Sequence, residues 1–319
     1  MTTNLPQPGD EIHAWKLMGI ERLERERRKG PSPPGPYEAI VAPQWNGLCG
    51  SDMHIYLTAL LGEEKMKVPF VLGHEASGIV VEVGSEVRGL TVGDRVALEN
   101  VSLEEGALME PLAVAVNAVT NIANLPHSAN VVVFGAGPVG LLTMAVAKAL
   151  GARRIIAVDV QAQRLEFARS YVATDIFVAS RMKEGESKEA YSQRHAGDIR
   201  QSLGIADRGL ESIDVVIDCS AAEVCMQTGM WLLRRKGTYV QVGCGPLYVK
   251  LPMRIIADRE LTYGPGVYTR AIDLVSRGLI DLKPLVTHKY KWEDAVKAFE
   301  TTKAGKGEDG QMAIKVMSG

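Results

Sequence analysis

Two groups of residues in this sequence have the types and spacings that chemistry requires. The first is Gly135, Gly137 and Gly140 at G-x-G-x-x-G spacing, with Asp159 about twenty residues further on. A first glycine permits a tight turn, a second lets main chain approach a pyrophosphate, and a third lets a helix pack closely on a strand. The flanks agree. Val131 to Phe134 is the β-branched and aromatic run of a buried strand; Val139, Leu142, Val146 and Leu150 recur at helical spacing up to Gly151; Ile155 to Val158 form a second strand ending at Asp159. Strand, glycine turn, helix, strand and acid together bind a dinucleotide: phosphates lie on the unpaired N–H groups and positive dipole end of the helix, and the acid takes ribose hydroxyls. A glycine turn in some other doubly wound protein would account for the glycines but not for Asp159.

The second group is Cys49, His74, Glu75 and Glu110. Taken singly, each has an ordinary reading: Cys49 as a small buried hydrophobe, His74 as a hydrogen-bonded core histidine, Glu75 and Glu110 as surface or helix-start carboxylates. Taken together, thiolate, imidazole and carboxylate are the donors zinc accepts, and a catalytic zinc needs three protein ligands and one open position. Their scatter along the chain means that spacing alone does not make them a site.

Positioning these groups takes two domains, which 319 residues can supply, each with its own core. Short apolar runs separated by glycine turns up to Leu98 predict an all-β, barrel-like unit. Ser102 to Glu105 reads as a capping box, and Glu110-Pro111 opens an apolar helix. From Val131 the alternation of strand and helix predicts an α/β, doubly wound parallel sheet of the Rossmann type. Within it, helices are expected over Gln161 to Ser170 and Ala221 to Lys236, and strands over Ile213 to Cys219 and Gly237 to Gly243. Arg181 to Gly204 reads as polar surface, and the mixed-sign run Glu21 to Lys29 as a solvated segment. A helix over Tyr268 to Arg277, then a final helix and strand, return the tail to the first domain. The expected boundaries are 1–115, 116–263 and 264–319.

A net charge of −2 without basic clusters argues against nucleic acid. No apolar run is long enough to span a bilayer, and no signal-peptide core opens the chain. Four cysteines without C-x-x-C spacing suggest no disulfide framework. A cytoplasmic protein is the expectation.

Gly47-Leu48-Cys49-Gly50-Ser51-Asp52, Gly73-His74-Glu75-Ala76-Ser77-Gly78, Gly93-Asp94-Arg95-Val96 and Glu105-Gly106-Ala107-Leu108-Met109-Glu110-Pro111-Leu112 occur in order. They resemble the signatures of zinc-dependent medium-chain dehydrogenases, most of all the sorbitol and xylitol (polyol) branch, and the likeness runs from about Ala14 to the C-terminus through the glycine turn. The resemblance implies a GroES-like β-barrel catalytic domain beside the Rossmann domain, a homo-oligomer (dimer or tetramer), and NAD- and zinc-dependent oxidation of a polyol to its ketose and the reverse. It implies Cys49, His74 and Glu110 as zinc ligands, and Glu75 as a carboxylate ligating directly or through water. Ser51 and His54 would relay the substrate proton. Asp159 would select NAD, with Arg164 over the adenosine and Pro138, Val139 and Val242 completing the cofactor contacts.

The sequence departs from that family in three places. Relatives continue after the equivalent of Glu99 with a lobe carrying four cysteines for a structural zinc, then further strands; here Glu99 passes directly to Asn100-Val101-Ser102, so several dozen residues are absent and only one, catalytic, zinc is expected. A segment with a substrate-facing arginine is missing before Tyr263. Ile55 stands where an aromatic residue often follows the relay histidine, with Tyr56 next to it. A trimmed catalytic domain leaves two further readings: an NAD-binding homologue with lost or altered catalysis, or a dehydrogenase for a bulkier alcohol.

Overall fold

The structure is a computed structural model and describes residues 5–61, 64–96, 102–246, 248–262, 275 and 278–319. Tyr263 and nearly all of the helix expected over Tyr268 to Arg277 lie outside the described residues. The chain divides into two compact units, Met1–Glu110 with Leu282–Gly319, and Pro111–Asp281.

The second unit is built on a parallel sheet in the order Asp175–Val178, Arg154–Asp159, Asn130–Phe134, Ile213–Asp218, Leu233–Gln241. Val132, Phe134, Ile156, Val158 and Val216 pack on one face with Ala196, Ile199, Met226 and Met230. The alternate residues Val131, Val133, Ile155, Ala157, Val215 and Ile217 are buried as well, so both faces are covered, as a parallel sheet requires. The helices Pro138–Ala149 and Ala162–Tyr171 fall where the apolar spacing puts them. Two expectations need correction. Arg181 to Gly204 is not simply polar surface: Lys188–Leu203 is a helix capped by Ser187, and it buries Tyr191, Ser192, His195, Ala196 and Ile199. Polar residues on its outer face mask that stripe in the sequence. The helix expected to reach Lys236 ends at Leu232, and the last strand begins at Leu233, where pairing with Ile213 takes the chain over from helical propensity.

In the first unit, Glu11–Gly19 and Arg22–Lys29 form a hairpin, so the charged run is a strand, and most of its residues are exposed to solvent as expected. Arg, Lys and Glu are poor strand formers, but here they face one another in pairs, Lys16 Nζ to Glu26 Oε2 at 2.6 Å and Arg27 to Glu11. A five-stranded sheet follows, in the order Val286–Tyr290, Lys315–Ser318, Ala39–Gly47, Glu75–Val83, Arg95–Val96. The tail enters it directly: Lys315–Ser318 runs antiparallel to Ala39–Gly47, with Met317 opposite Gly47. Leu17, Leu48, Met53, Ile55, Tyr56, Ala298, Phe299 and Val316 make the core of this unit. Beside that core, Trp15, Trp45 and Trp292 line a cleft of about 500 Å³.

Candidate active site

Antiparallel pairing of Ala39–Gly47 with Glu75–Val83 sets Gly47 opposite Glu75. Two residues past Gly47, Cys49 is the N-cap of the helix Gly50–Thr58; one residue before Glu75, His74 closes the approach to the second strand. The register therefore brings the ends of two strands, and the side chains that extend from them, to one place. One donor atom from each of Cys49, His74 and Glu75 lies within 4.8 Å of the others.

Asp52, buried at 2% exposure, fixes this arrangement. One of its carboxylate oxygens accepts the Cys49 N–H at 3.1 Å; the other accepts the Gly73 N–H at 3.1 Å and faces His74 Nδ1 at 3.3 Å. With Nδ1 engaged, His74 turns Nε2 towards the cluster, where Ser51 Oγ stands 3.4 Å away. A buried carboxylate placed this way can orient an imidazole for metal binding. Ser51 thus contacts His74, while His54 is exposed and no hydrogen bond joins it to Ser51 among the described residues. Glu110, in the first turn of Met109–Asn117, lies outside the trio but close enough to Glu75 for their charges to repel.

Glu75 is buried at 2% exposure, and its Oε2 meets Lys315 Nζ, itself almost fully buried. Lys315 also donates to the Leu48 carbonyl at 3.2 Å. Burial pushes the Glu75 carboxyl above the ordinary range, Lys315 pulls it back in part, and Glu110 adds to the rise. Burial likewise raises the Cys49 thiol, against hydrogen bonds with Ser51 that lower it. A thiol, an imidazole and carboxylates held this close, with the imidazole already oriented, are a donor set that fits zinc, and a bound cation would favour the ionised thiol and carboxyl.

In the second unit each glycine of the turn has its own reason. Gly135 has φ of 90°, which L side chains rarely adopt. A Cβ on Gly140 would run into the Gly135 carbonyl, so helix and strand could not approach. A Cβ on Gly137 would meet nothing within 4 Å, so this glycine leaves main chain bare on its open side. Pro138 is the first residue of the helix, where its missing N–H costs nothing, and Val139 follows in the same turn. Asp159, 8% exposed, accepts the Ala136 N–H at 2.7 Å and the Gln161 N–H at 2.8 Å, so it braces the glycine turn it follows. Arg164 is half-buried on Ala162–Tyr171. Val242 sits just past the last strand, its N–H bonded to the Asp218 carbonyl at 2.9 Å.

Reading the sequence alone did not single out Asp52 or Lys315. Asp52 was detectable in principle, since an acid three residues after a helix-capping position reaches back to it. Lys315 gave no local sign, because its partners are more than two hundred residues away.

A parallel nucleotide-binding sheet in one unit and a thiol–imidazole–carboxylate cluster in the other define an oxidoreductase of the zinc-binding dehydrogenase family, and the chain belongs to that family. Its sequence matches the model for the zinc-binding dehydrogenase domain over residues 138–276 and that for the alcohol dehydrogenase GroES-like domain over residues 35–122. Among individual proteins, it is 38% identical over 350 residues to a probable D-xylulose reductase A of Aspergillus clavatus, covering 92% of this chain and 94% of that one. It is also 38% identical, over 351 residues and the same shares, to D-xylulose reductase A of Aspergillus niger. The fold is shared with 2R,3R-butanediol dehydrogenase from Bacillus subtilis (TM-score 0.77, 22% identity, 96% of this chain and 99% of that one). Galactitol-1-phosphate dehydrogenase from Escherichia coli shares it too (TM-score 0.79, 19% identity, 96% and 99%).

Proposed function

We propose that this chain is a zinc- and NAD-dependent polyol dehydrogenase that oxidises a xylitol- or sorbitol-like substrate to the ketose and runs the reverse reduction. The observation that carries the reading is the convergence of Cys49, His74 and Glu75 donor atoms within 4.8 Å. Likeness to D-xylulose reductases points to the polyol class. Cys49 and His74 would hold the metal together with a carboxylate, Glu75 from within the cluster or Glu110 from close beside it. Zinc, when bound, supplies a Lewis acid that stabilises an alkoxide or polarises a carbonyl. Asp52 keeps the His74 ring in one orientation. Ser51, half-buried and in contact with His74, takes the hydroxyl proton, and exposed His54 hands it to solvent. Gly137 and the helix beginning at Pro138 receive the cofactor's phosphates, and Asp159 the ribose, with Arg164 and Val242 alongside. A 2′-phosphate beside the Asp159 carboxylate would meet like charge, which favours NAD over NADP.

The scatter of Cys49, Cys219, Cys225 and Cys244 supports a single, catalytic zinc. An alignment of 350 positions that takes in only 92% of a 319-residue chain supports the absence of a central segment. That absence favours a second reading, a homologue that binds NAD with lost or altered catalysis. A homo-oligomer (dimer or tetramer) in the cytoplasm completes the proposal; among the described residues no helix is long and apolar enough to cross a membrane.

One paired measurement decides between them: zinc content of the purified protein, and NAD reduction with xylitol and sorbitol. One zinc per chain with turnover supports the proposal. Stoichiometric zinc without turnover of either polyol refutes the polyol assignment and leaves a bulkier alcohol as substrate. NAD binding without zinc supports the non-catalytic homologue.

A further inference from the structure

Asp218, the last residue of the strand Ile213–Asp218, is fully buried and takes no part in the proposed chemistry. Its two oxygens have different surroundings. Oδ1 accepts three hydrogen bonds, from the Ser220 N–H at 2.8 Å, the Ser220 hydroxyl at 2.7 Å and the Ala221 N–H at 3.1 Å. Oδ2 faces Tyr239 Oη at 3.1 Å.

The hydrogen on Tyr239 is already committed elsewhere. The Gly243 carbonyl can only accept, so Gln241 turns its NH2 to it, Nε2 to O at 2.8 Å, and its Oε1 to Tyr239. Oε1 also only accepts and stands 2.7 Å from Tyr239 Oη, so the single phenolic hydrogen goes there. A carboxylate at Asp218 would then set Oδ2 against an oxygen with no hydrogen to give, inside a dry sheet where an unpaired charge is costly. A carboxylic acid removes the conflict: Oδ2–H donates to Tyr239, Tyr239 to Gln241, and Gln241 to the Gly243 carbonyl. The titratable groups around Asp218 are Tyr239, Cys219, Cys225 on the helix Glu223–Leu232 and, acting on the same Cys225 thiol, Asp159; none of them can carry positive charge. Burial pushes the Asp218 carboxyl above its ordinary range, and the hydrogen bonds of Ser220, Tyr239 and Ala221 pull it back in part.

The residues that Asp218 holds stand at the glycine turn. The Cys219 N–H donates to the Phe134 carbonyl at 2.9 Å, and a Cβ on Gly135 would come within 3.2 Å of Ser220 N. Ala221 has φ of 64°, a left-handed conformation that a residue with a side chain keeps only when its surroundings impose it. A Cβ on Gly243 would lie 2.7 Å from the Ala221 nitrogen, so the turn is closely packed from that side as well. We propose that Asp218 is a positioning residue kept as the neutral acid, clamping the Ser220–Ala221 turn against the glycine turn as a wall of the cofactor crevice and leaving Asp159 as the carboxylate charge the dinucleotide meets. This rests on the nucleotide site proposed above.

The test compares the full-length chain with D218N, whose NH2 replaces the acid hydroxyl as donor to Tyr239 while its oxygen still accepts from Ser220 and Ala221. Infrared spectra of the cofactor-free protein should show a protonated carboxyl C=O band that D218N lacks. In urea unfolding, wild type should lose stability relative to D218N as pH rises from about 4 to about 7, because the unfolded chain gives up a proton that the native fold retains. An ionised Asp218 stabilised by its donors gives the opposite sign. NAD should bind D218N within twofold of wild type, and D218A, which frees both N–H groups, at least tenfold more weakly. Identical infrared spectra, a D218N chain that does not fold, or wild type gaining on D218N over that pH range overturns the neutral acid. A tenfold loss of NAD affinity in D218N, or full affinity in D218A, overturns the clamp. Failure of wild type to bind NAD is a different result: it removes the nucleotide site and the clamp with it, while the infrared and unfolding measurements still decide where the proton lies.

Discussion

Replacing Asp52 tests the proposed metal site at the residue that organises its donors. Asp52 is buried and accepts two main-chain N–H groups, from Cys49 and Gly73, each at 3.1 Å, besides facing His74 Nδ1. Hydrogen bonds to a charged group are worth roughly 1.5–3 kcal/mol each, and stranding a buried donor costs a similar amount. Asp52→Ala leaves both N–H groups without a partner, for a loss of about 3–6 kcal/mol, comparable to the whole stability of a modest domain. Asp52→Asn is the sharper probe. Its shape is preserved, but its NH2 group must point at one of the two N–H donors or at His74, so about 2 kcal/mol of stability should go. Loss of an outer-shell partner typically costs 10–100-fold in metal affinity. Urea unfolding of the metal-free protein reads the first effect, and competition with a chromogenic chelator reads the second. Stability and zinc affinity both unchanged in Asp52→Asn would refute the assignment of Asp52 as the organiser of Cys49 and His74.

Four further outcomes are expected. Gly140→Ala should lower the melting temperature and abolish NAD binding together, because its Cβ meets the Gly135 carbonyl; calorimetry and cofactor titration check this. Gly137→Ala should fold with unchanged stability yet bind NAD at least tenfold more weakly, since its Cβ points into open space where a phosphate would lie. Asp159→Ala should weaken NAD binding, and unchanged affinity would end the ribose assignment. His195 is buried between Tyr191 and Phe177, and burial lowers it to about 4 from 6.5. It therefore stays neutral in the fold while the unfolded chain takes up a proton below pH 6.5, so stability falls as pH drops from 6.5 towards 4. The loss should reach about 2 kcal/mol by pH 5, and His195→Phe should remove that part of the pH dependence in urea unfolding.

The nucleotide-binding half was largely legible because its signals are local. Gly135 to Gly140, the apolar strands on either side and Asp159 occupy one short stretch, and each residue's role follows from its neighbours in the chain. Lys188–Leu203 escaped because its buried stripe includes Ser192 and His195, polar types that are usually exposed; only tertiary packing shows that they face inward. Cys49, His74 and Glu75 were recognisable as donor types, but their convergence depends on the register of Ala39–Gly47 against Glu75–Val83, which no local pattern encodes. The run Arg22–Lys29 is solvated as its composition suggests, but that it is a strand was hidden for a related reason: its charges are matched across the strand pair, Glu26 to Lys16 and Arg27 to Glu11.

The strand Lys315–Ser318 has a consequence for the order in which this protein matures. Lys315 reaches Leu48 across 267 residues of sequence, and the intervening chain includes the entire nucleotide-binding unit. Contacts at that separation form after local ones, because a long loop must close before they contribute anything. On a ribosome, the Gly135 to Gly140 turn and its sheet are available to fold while the cluster around Cys49 still lacks Lys315, the counter-charge of Glu75. Full definition of the Cys49–His74–Glu75 cluster is therefore a late event in synthesis, and its assembly marks a chain whose first and last segments have found each other.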